Sequence, residues 1–286
     1  MGARRFSDLL DPSLNYLQIN GKPCFIDDSD SIIDIESLKK TNGSSYLSRK
    51  SNLIRRIFTA ISSYPYKKTN KNLDQLAKEL PESALILVIG GGTIGDGMKK
   101  FVRDVKGKLI STDVYDSPNV DIIADGHKLP FKNHCFDLVI IQAVLEHVLE
   151  PHVVVGEIHR VLKKDGFVYA ETPFIQTVHE GAYDFTRFTH SGHRYLFKNF
   201  TELNSGSVLG IGFSMVWVIQ NYFESLFRSS KLSKLFTIPF YLLYYLDAIK
   251  PEKYHIDFGS GFYFVGKKSE APIVKKSIIH YYRGRM

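Results

Sequence analysis

Residues Leu85 to Gly95, LILVIGGGTIG, constrain this chain more than any other stretch. The apolar, β-branched run reads as a buried strand. It ends in a cluster of the form G-x-G-x-x-G at Gly90, Gly92 and Gly95, with Gly91 inside it. A strand that stops in glycines can turn sharply and bring bare backbone against a ligand, because no Cβ stands in the way. Glycine clusters also make ordinary turns, so the residues beyond Gly95 decide which role this one has.

Apolar β-like runs recur at residues 84–89, 108–112, 120–124, 136–141 and 167–170. Helical patterns lie between several of them, most clearly over 153–162, where Val154, Ile158, Val161 and Leu162 share a face. Strands alternating with helices predict a parallel sheet covered on both sides. Right-handed crossovers then gather the strand ends and their loops along one edge. Later, residues 208–218 and 261–266 read as two further strands around a helical stretch, suited to an antiparallel hairpin at the sheet edge. The 286 residues suffice for one large domain with additions, and the 44% hydrophobic content supports its core.

The chemistry sits at strand ends. KLISTD places Asp113 about 20 residues after the glycines, where an acid accepts hydrogen bonds from a ribose diol. The next strand ends in Ala124-Asp125-Gly126, and an aspartate there can accept from an exocyclic adenine amine, with Leu129 or Phe131 beside the ring. Either aspartate alone reads as a turn or cap residue. Together with the glycines, at successive strand ends, they describe an adenosine site.

With these residues in place the chain resembles the class I S-adenosylmethionine-dependent methyltransferases, specifically the type 11 methyltransferase domain family. The resemblance rests on LVIGGGTIG, LISTDV, IIADGHKLPFKNHCFDLVIIQAVLEHV and EIHRVLKKDGFVYAETP, in the family's order across residues 84–174. It implies an α/β, doubly wound, Rossmann-like sheet of seven mostly parallel strands with an antiparallel last strand. It further implies that Gly90, Gly91, Gly92 and Gly95 line the methionine and ribose portion of S-adenosylmethionine, that Asp113 meets the ribose, and that Asp125 and Gly126 flank the adenine. Gln142, ending the fourth strand, would face the methionine moiety. Glu146 and His147 are expected to open the next helix, and read as capping or core residues at least as readily as ligand contacts. The family's acid just before the glycines is replaced by Val88 and Ile89, which leaves the cofactor's ammonium without an assigned partner. A nicotinamide dehydrogenase would share the glycines and the ribose acid, but not ADGHKLPF or LEHV.

An in-line methyl transfer needs a close, aligned nucleophile, and a base only when a hydroxyl must lose its proton. The expected acceptor wall is residues 172–195, TPFIQTVHEGAYDFTRFTHSGHRY, and the expected catalytic residues are His179, His190 and Asp184. A metal held by His179, Asp184 and His190 matches no standard spacing, so no metal is expected. HEGAYDFTRFT is similar to a subset of methyltransferases associated with surface-glycan assembly, which implies a hydroxyl of a saccharide, lipid-linked glycan or other small molecule as acceptor. A non-catalytic cofactor-binding protein and an RNA methyltransferase are the alternatives.

The chain divides into an N-terminal extension (1–50), a main domain (51–270) and a basic tail (271–286). The extension carries a hairpin-like element around Gly21-Lys22-Pro23 and a polar linker at 41–45, and a helix is expected at 53–61. Only Pro12 and the lone Cys24 remain of the zinc module with which many relatives begin, short of the about four ligands zinc requires. Cys24 and Cys135 form neither a disulfide framework nor a metal pair, and no secretory leader is visible, so a cytoplasmic protein is expected. The +7 net charge fits an anionic partner or a generally basic surface; without an RNA-binding motif, nucleic acid is not expected. Within a helical insertion at 219–250, residues 231–250 read as a buried helix broken at Pro239. The competing reading is an interfacial helix resting on the inner face of a membrane.

Overall fold

A computed structural model describes residues 6–36, 67–95 and 97–286; the expected linker at 41–45 and helix at 53–61 lie outside them. Strand β3 (Leu85–Ile89) is the axis of the sheet, and its residues alternate between two apolar layers. Leu87 and Ile89 face one layer, Ile86 and Val88 the other. Strands β4 (Lys108–Asp113) and β6 (Phe136–Gln142) flank it in parallel, with Val88 opposite both Ser111 and Ile140. Strands β5 (Ile122–Ile123), β7 (Leu162–Pro173), β8 (Phe200–Ser207) and β9 (Gly261–Lys268) extend the sheet in the order β5-β4-β3-β6-β7-β9-β8. Strand β9 runs antiparallel between β7 and β8. This is the doubly wound sheet with an antiparallel last strand that the sequence implies.

Among the described residues the sheet nevertheless has nine strands rather than seven. Strands β1 (Leu17–Ile19) and β2 (Lys22–Cys24) form a hairpin whose turn residues Asn20 and Gly21 have φ of 50° and 79°. Asn-Gly suits such a turn, because both residues enter the left-handed region at little cost. Strand β2 pairs in parallel with β5, Cys24 opposite Ile123. Ile19, Cys24, Ile26, Ile33 and Ile35 pack there on Val120 and Ile123.

Helices cover both faces. Helices α1 (Lys67–Glu79) and α2 (Lys99–Asp104) bury Leu73, Leu76 and Phe101 against the Ile86–Val88 layer. Helix α3 (Pro151–Val161) starts with proline in its first turn and buries Val154, Val155, Ile158 and Val161 on the other face. Each fully buried aliphatic side chain contributes about 1.5–3 kcal/mol.

The late chain departs from expectation twice. Residues 208–218 are not a strand: after Gly210 they enter helix α5 (Ile211–Phe227), and their buried Leu209, Phe213 and Val216 follow helical spacing. The strand is instead β8, FTELNSGS, whose polar residues suit an edge that pairs only with β9. The segment 231–250 is broken at Pro239, which lies in a 3₁₀ turn between helices α6 (Ser230–Thr237) and α7 (Leu242–Leu246). It is not a buried helix. Ser233, Thr237, Tyr241 and Tyr244 face inward, while Leu235 is 58%, Leu242 62% and Ile249 79% exposed. The small polar residues can turn inward because Ser233 Oγ donates to the Gln220 carbonyl and Thr237 Oγ1 to the Ser233 carbonyl. Helix α8 (Glu252–Phe258) returns the chain to β9. Among the described residues, no helix is long and apolar enough to cross a membrane.

Leu87 is wholly buried at the middle of β3. Leu87→Ala should cost about 2–5 kcal/mol, read as a lower urea midpoint at unchanged m-value.

Candidate functional site

The strand order reverses between β3 and β6, and in such sheets ligands occupy the crevice beyond the strand ends at that point. The glycines occupy that edge. The Gly90 and Gly91 N–H groups donate to the Thr112 carbonyl at 2.8 and 3.0 Å. Gly90 has φ of +75°, and a Cβ there would overlap Val144 of the loop after β6. A Cβ on Gly91 would overlap Ser111, whereas Gly95 faces open space. Gly92 N–H donates to Asp113 Oδ2 at 2.8 Å, and Tyr115 N–H lies 3.2 Å from Oδ1. Burial pushes the Asp113 carboxyl up while these N–H groups pull it down. Ser117 Oγ and Asn119 Nδ2 both donate to the Gly92 carbonyl, at 2.8 and 3.3 Å. These two tethers have no sequence signature.

Asp125 follows β5. Its Oδ1 accepts from His127 N–H at 2.9 Å and from Nδ1 at 2.6 Å; Oδ2 accepts from Ser31 Oγ at 2.6 Å. Burial opposes ionisation, but these bonds outweigh it and hold the carboxyl at about 2. It therefore remains an anionic acceptor. Gly126 packs on Val154 and Ile89.

Gln142 ends β6 in register with Glu171 of β7. Ala143 then takes a left-handed backbone, φ 52°, while its N–H donates to the Glu171 carbonyl at 3.0 Å. For a residue with a Cβ this conformation costs about 1–2 kcal/mol. The Glu171 carboxyl accepts from Thr69 Oγ1 at 2.6 Å and from the Tyr169 hydroxyl, and burial raises its pKa.

Past Val144 the chain reaches Glu146, whose side chain is wholly buried with neither carboxylate oxygen hydrogen-bonded. Burial pushes it up to about 8. His147 Nε2 and His179 Nε2 lie 3.6 and 3.8 Å from Glu146 Oε1, and 3.0 Å from each other. His147 Nδ1 donates to the Tyr183 carbonyl at 2.7 Å. The loop carrying His179 is pinned here because Phe185 and Thr186 N–H donate to the Glu146 carbonyl at 2.8 and 3.2 Å. Asp184 accepts from His179 N–H at 3.1 Å and from Arg187 Nη2 at 2.7 Å. The Arg187 guanidinium holds it at about 2. Tyr115 joins the two sides: burial, then the charges of Glu180 and Asp113, push its phenol up.

The structure brings His179 and Asp184 together and leaves His190 elsewhere. The wall expected at 172–195 begins on the last two residues of β7 and continues as a loop, with a 3₁₀ turn at Gly181–Tyr183, as far as Thr189, which caps helix α4 (His190–Leu196) by accepting from Gly192 N–H. That helix turns His190, His193 and Arg194 into the core. His190 stacks on Tyr281 at 4.9 Å and packs on Phe262, its Nε2 3.3 Å from Ser205 Oγ. Arg194 pairs with Glu202 at 3.0 Å. Sequence reading passed over Glu146 and His147 as acceptor-side groups; the available signal was a Glu-His pair after a strand end, facing a histidine-bearing loop.

Residues 94–170 match the family model described as a methyltransferase domain. The matched segment contains Asp113, Asp125, Gln142, Glu146 and His147 and ends before His179. A Mus musculus protein, arginine-hydroxylase NDUFAF5, mitochondrial, is 34% identical over 101 residues, covering 32% of this chain and 28% of that protein. The chain thus spans under a third of that relative. A Burkholderia thailandensis 1,6-didemethyltoxoflavin-N1-methyltransferase is similar at 12% identity, over 78% of this chain and 93% of its own, with a TM-score of 0.45. A Haemonchus contortus phosphoethanolamine N-methyltransferase is similar at 17% identity, over 70% and 53%, with a TM-score of 0.43.

The two histidines of α4 make the fold acid-sensitive. Burial lowers His190 to about 4 and His193 to about 3, below the ordinary 6.5. Between 6.5 and those values the unfolded chain binds protons that the folded chain does not. Stability is therefore fully present above pH 6.5 and is lost as pH falls toward 4. For His190 the loss is on the order of 3 kcal/mol. His190→Gln should flatten the fall between pH 7 and 4.5 in urea unfolding; an unchanged slope would show that His190 is not held neutral.

Proposed function

We propose that the protein transfers a methyl group from S-adenosylmethionine to an oxygen of a saccharide, lipid-linked glycan or other small molecule. The observation that carries this reading is the contact between Gly90 and Val144, which sets the glycine edge directly beside the segment leading to Glu146, His147 and His179. The bare backbone at Gly90 and Gly91 and the acceptor carboxylates of Asp113 and Asp125 fit the cofactor. Asp113 would hold the ribose hydroxyls, Asp125 and Gly126 the adenine, and Gly90, Gly91, Gly92 and Gln142 the methionine portion. S-adenosylmethionine supplies an activated sulfonium methyl. The protein's own tasks are to orient the acceptor and take up its hydroxyl proton, and the Glu146–His147–His179 cluster is suited to both. His179 is its most exposed side chain, and Asp184 with Arg187 positions it. His190, 3% exposed among aromatic rings, has no such access.

The +7 net charge favours a second reading, methyl transfer to RNA. Incubating the protein with S-adenosylmethionine and nucleotide sugars, lipid-linked glycans or RNA separates the readings by mass spectrometry. Methyl transfer predicts S-adenosylhomocysteine and a methylated product, with salt-insensitive turnover on a glycan; steeply salt-dependent turnover on RNA would replace the acceptor. Asp113→Ala should weaken S-adenosylmethionine binding by about tenfold or more in calorimetry. His179→Ala should leave that binding intact and slow turnover by about 10²–10⁴-fold.

The outward face of α6 and α7 supports a lipid-surface acceptor. Leu232, Leu235, Phe236, Leu242, Tyr245 and Ile249 are exposed on adjoining turns, with Lys231 and Lys234 on the first helix. An apolar face edged by lysines lies in the interface of anionic bilayers. The protein should float with phosphatidylglycerol vesicles, and Leu235→Glu with Leu242→Glu should abolish flotation. Failure of the unsubstituted protein to float would remove the membrane from this reading.

A further inference from the structure

Among the described residues, one group of metal-donor side chains converges: Glu146, His147 and His179, whose nearest ligand atoms lie within 4.8 Å of one another. The two Nε2 atoms are 3.0 Å apart, and Glu146 Oε1 is 3.6 and 3.8 Å from them. The point equidistant from the three atoms lies about 2.0 Å from each, the length of a zinc–nitrogen or zinc–oxygen bond.

The proton inventory explains why a cation belongs there. Glu146 is 0% exposed, and both its oxygens lack a hydrogen-bond donor. A buried polar group left so costs free energy unless something meets it. His147 Nδ1–H is committed to the Tyr183 carbonyl, so a neutral His147 turns an Nε2 lone pair toward the cluster. His179 Nδ1 faces two acceptors, the Thr177 carbonyl at 3.2 Å and Asp184 Oδ2 at 3.5 Å. The neutral tautomer that serves them carries its proton on Nδ1 and likewise leaves a lone pair on Nε2. Without an ion, the two Nε2 atoms share a proton across their 3.0 Å contact and the buried Glu146 carboxyl holds its own; an ion that displaces these protons meets three acceptors facing one another. Carbonyl or carboxylate partners on the far ring nitrogens are also how proteins orient metal-binding histidines.

We propose that Glu146, His147 and His179 bind one divalent first-row transition-metal ion. Two imidazoles and one carboxylate suit Zn²⁺ or Fe²⁺, whereas Mg²⁺ and Ca²⁺ favour oxygen donors. Three protein donors leave an open side to the ion. If the protein is the methyltransferase proposed above, the ion-loaded cluster polarises the acceptor oxygen and the hydroxyl proton passes to solvent, whereas the ion-free cluster takes that proton up itself. Ion binding itself does not depend on that reading.

The test uses the full chain, stripped with a chelator, dialysed, and titrated calorimetrically with Zn²⁺, with Fe²⁺ under anaerobic conditions, and with Mg²⁺. One equivalent of Zn²⁺ or Fe²⁺ should bind, and Mg²⁺ far more weakly. Glu146→Gln and His179→Ala should each lose about a hundredfold or more in affinity, while His190→Gln binds as the unsubstituted protein does. The bound ion should raise Tm in the unsubstituted protein and not in His179→Ala, whose partly exposed side chain can be removed without opening the core. No stoichiometric uptake, or unchanged uptake in both cluster variants, would overturn the proposal. Uptake without S-adenosylhomocysteine release would uphold the ion site and refute methyl transfer.

Discussion

Everything at the functional edge depends on the close approach of Gly90 to Val144. The end of β3 and the chain leaving β6 meet there, with the Val144 side chain filling the place a Cβ on Gly90 would take. Ala143 produces the approach by adopting a left-handed backbone, and its N–H bond to the Glu171 carbonyl helps offset the strain. From this contact the two halves of the site extend in opposite directions. Gly92 fastens Asp113 on one side, and the segment after Val144 delivers Glu146 and His147 on the other. A helix of fully buried valines and isoleucines, α3, then seals the apolar face behind them.

What could be read in the amino-acid order was whatever is local along the chain. A β-branched run ending in glycine, and an acid at the next strand end, are one-dimensional patterns with one-dimensional causes. The central strands, the covering helix α3 and the positions of Asp113 and Asp125 followed from them. The partnership of Ser31 with Asp125 joins residues far apart in the chain and has no local signal. Strand β8 was hidden for a related reason. Its FTELNSGS sequence is that of an edge, whereas the apolar run beside it is apolar because a helix packs there.

The histidines of the 172–195 segment show how residue type alone can mislead. His179 stands on a loop and keeps company with a carboxylate and a second imidazole. His190 and His193 stand on a helix whose first turn Thr189 caps, and the helix turns both into the aromatic core. Composition suggested one polar wall. A capping threonine divides it into an exposed loop and a core-facing helix, and the burial that neutralises His190 is the same burial that holds Tyr281 against it.

The amino-terminal hairpin has a consequence for how the molecule is made. Strand β2 adds to β5, and Ser31 meets an acid 94 residues later. On a ribosome the hairpin emerges before its sheet partner and must wait, with one edge unpaired, until β5 is synthesised. Contacts of such long sequence separation form late and slowly. The Asp125 carboxylate is therefore oriented only when the segment carrying Ser31 returns to it, so this bond reports completion of the fold.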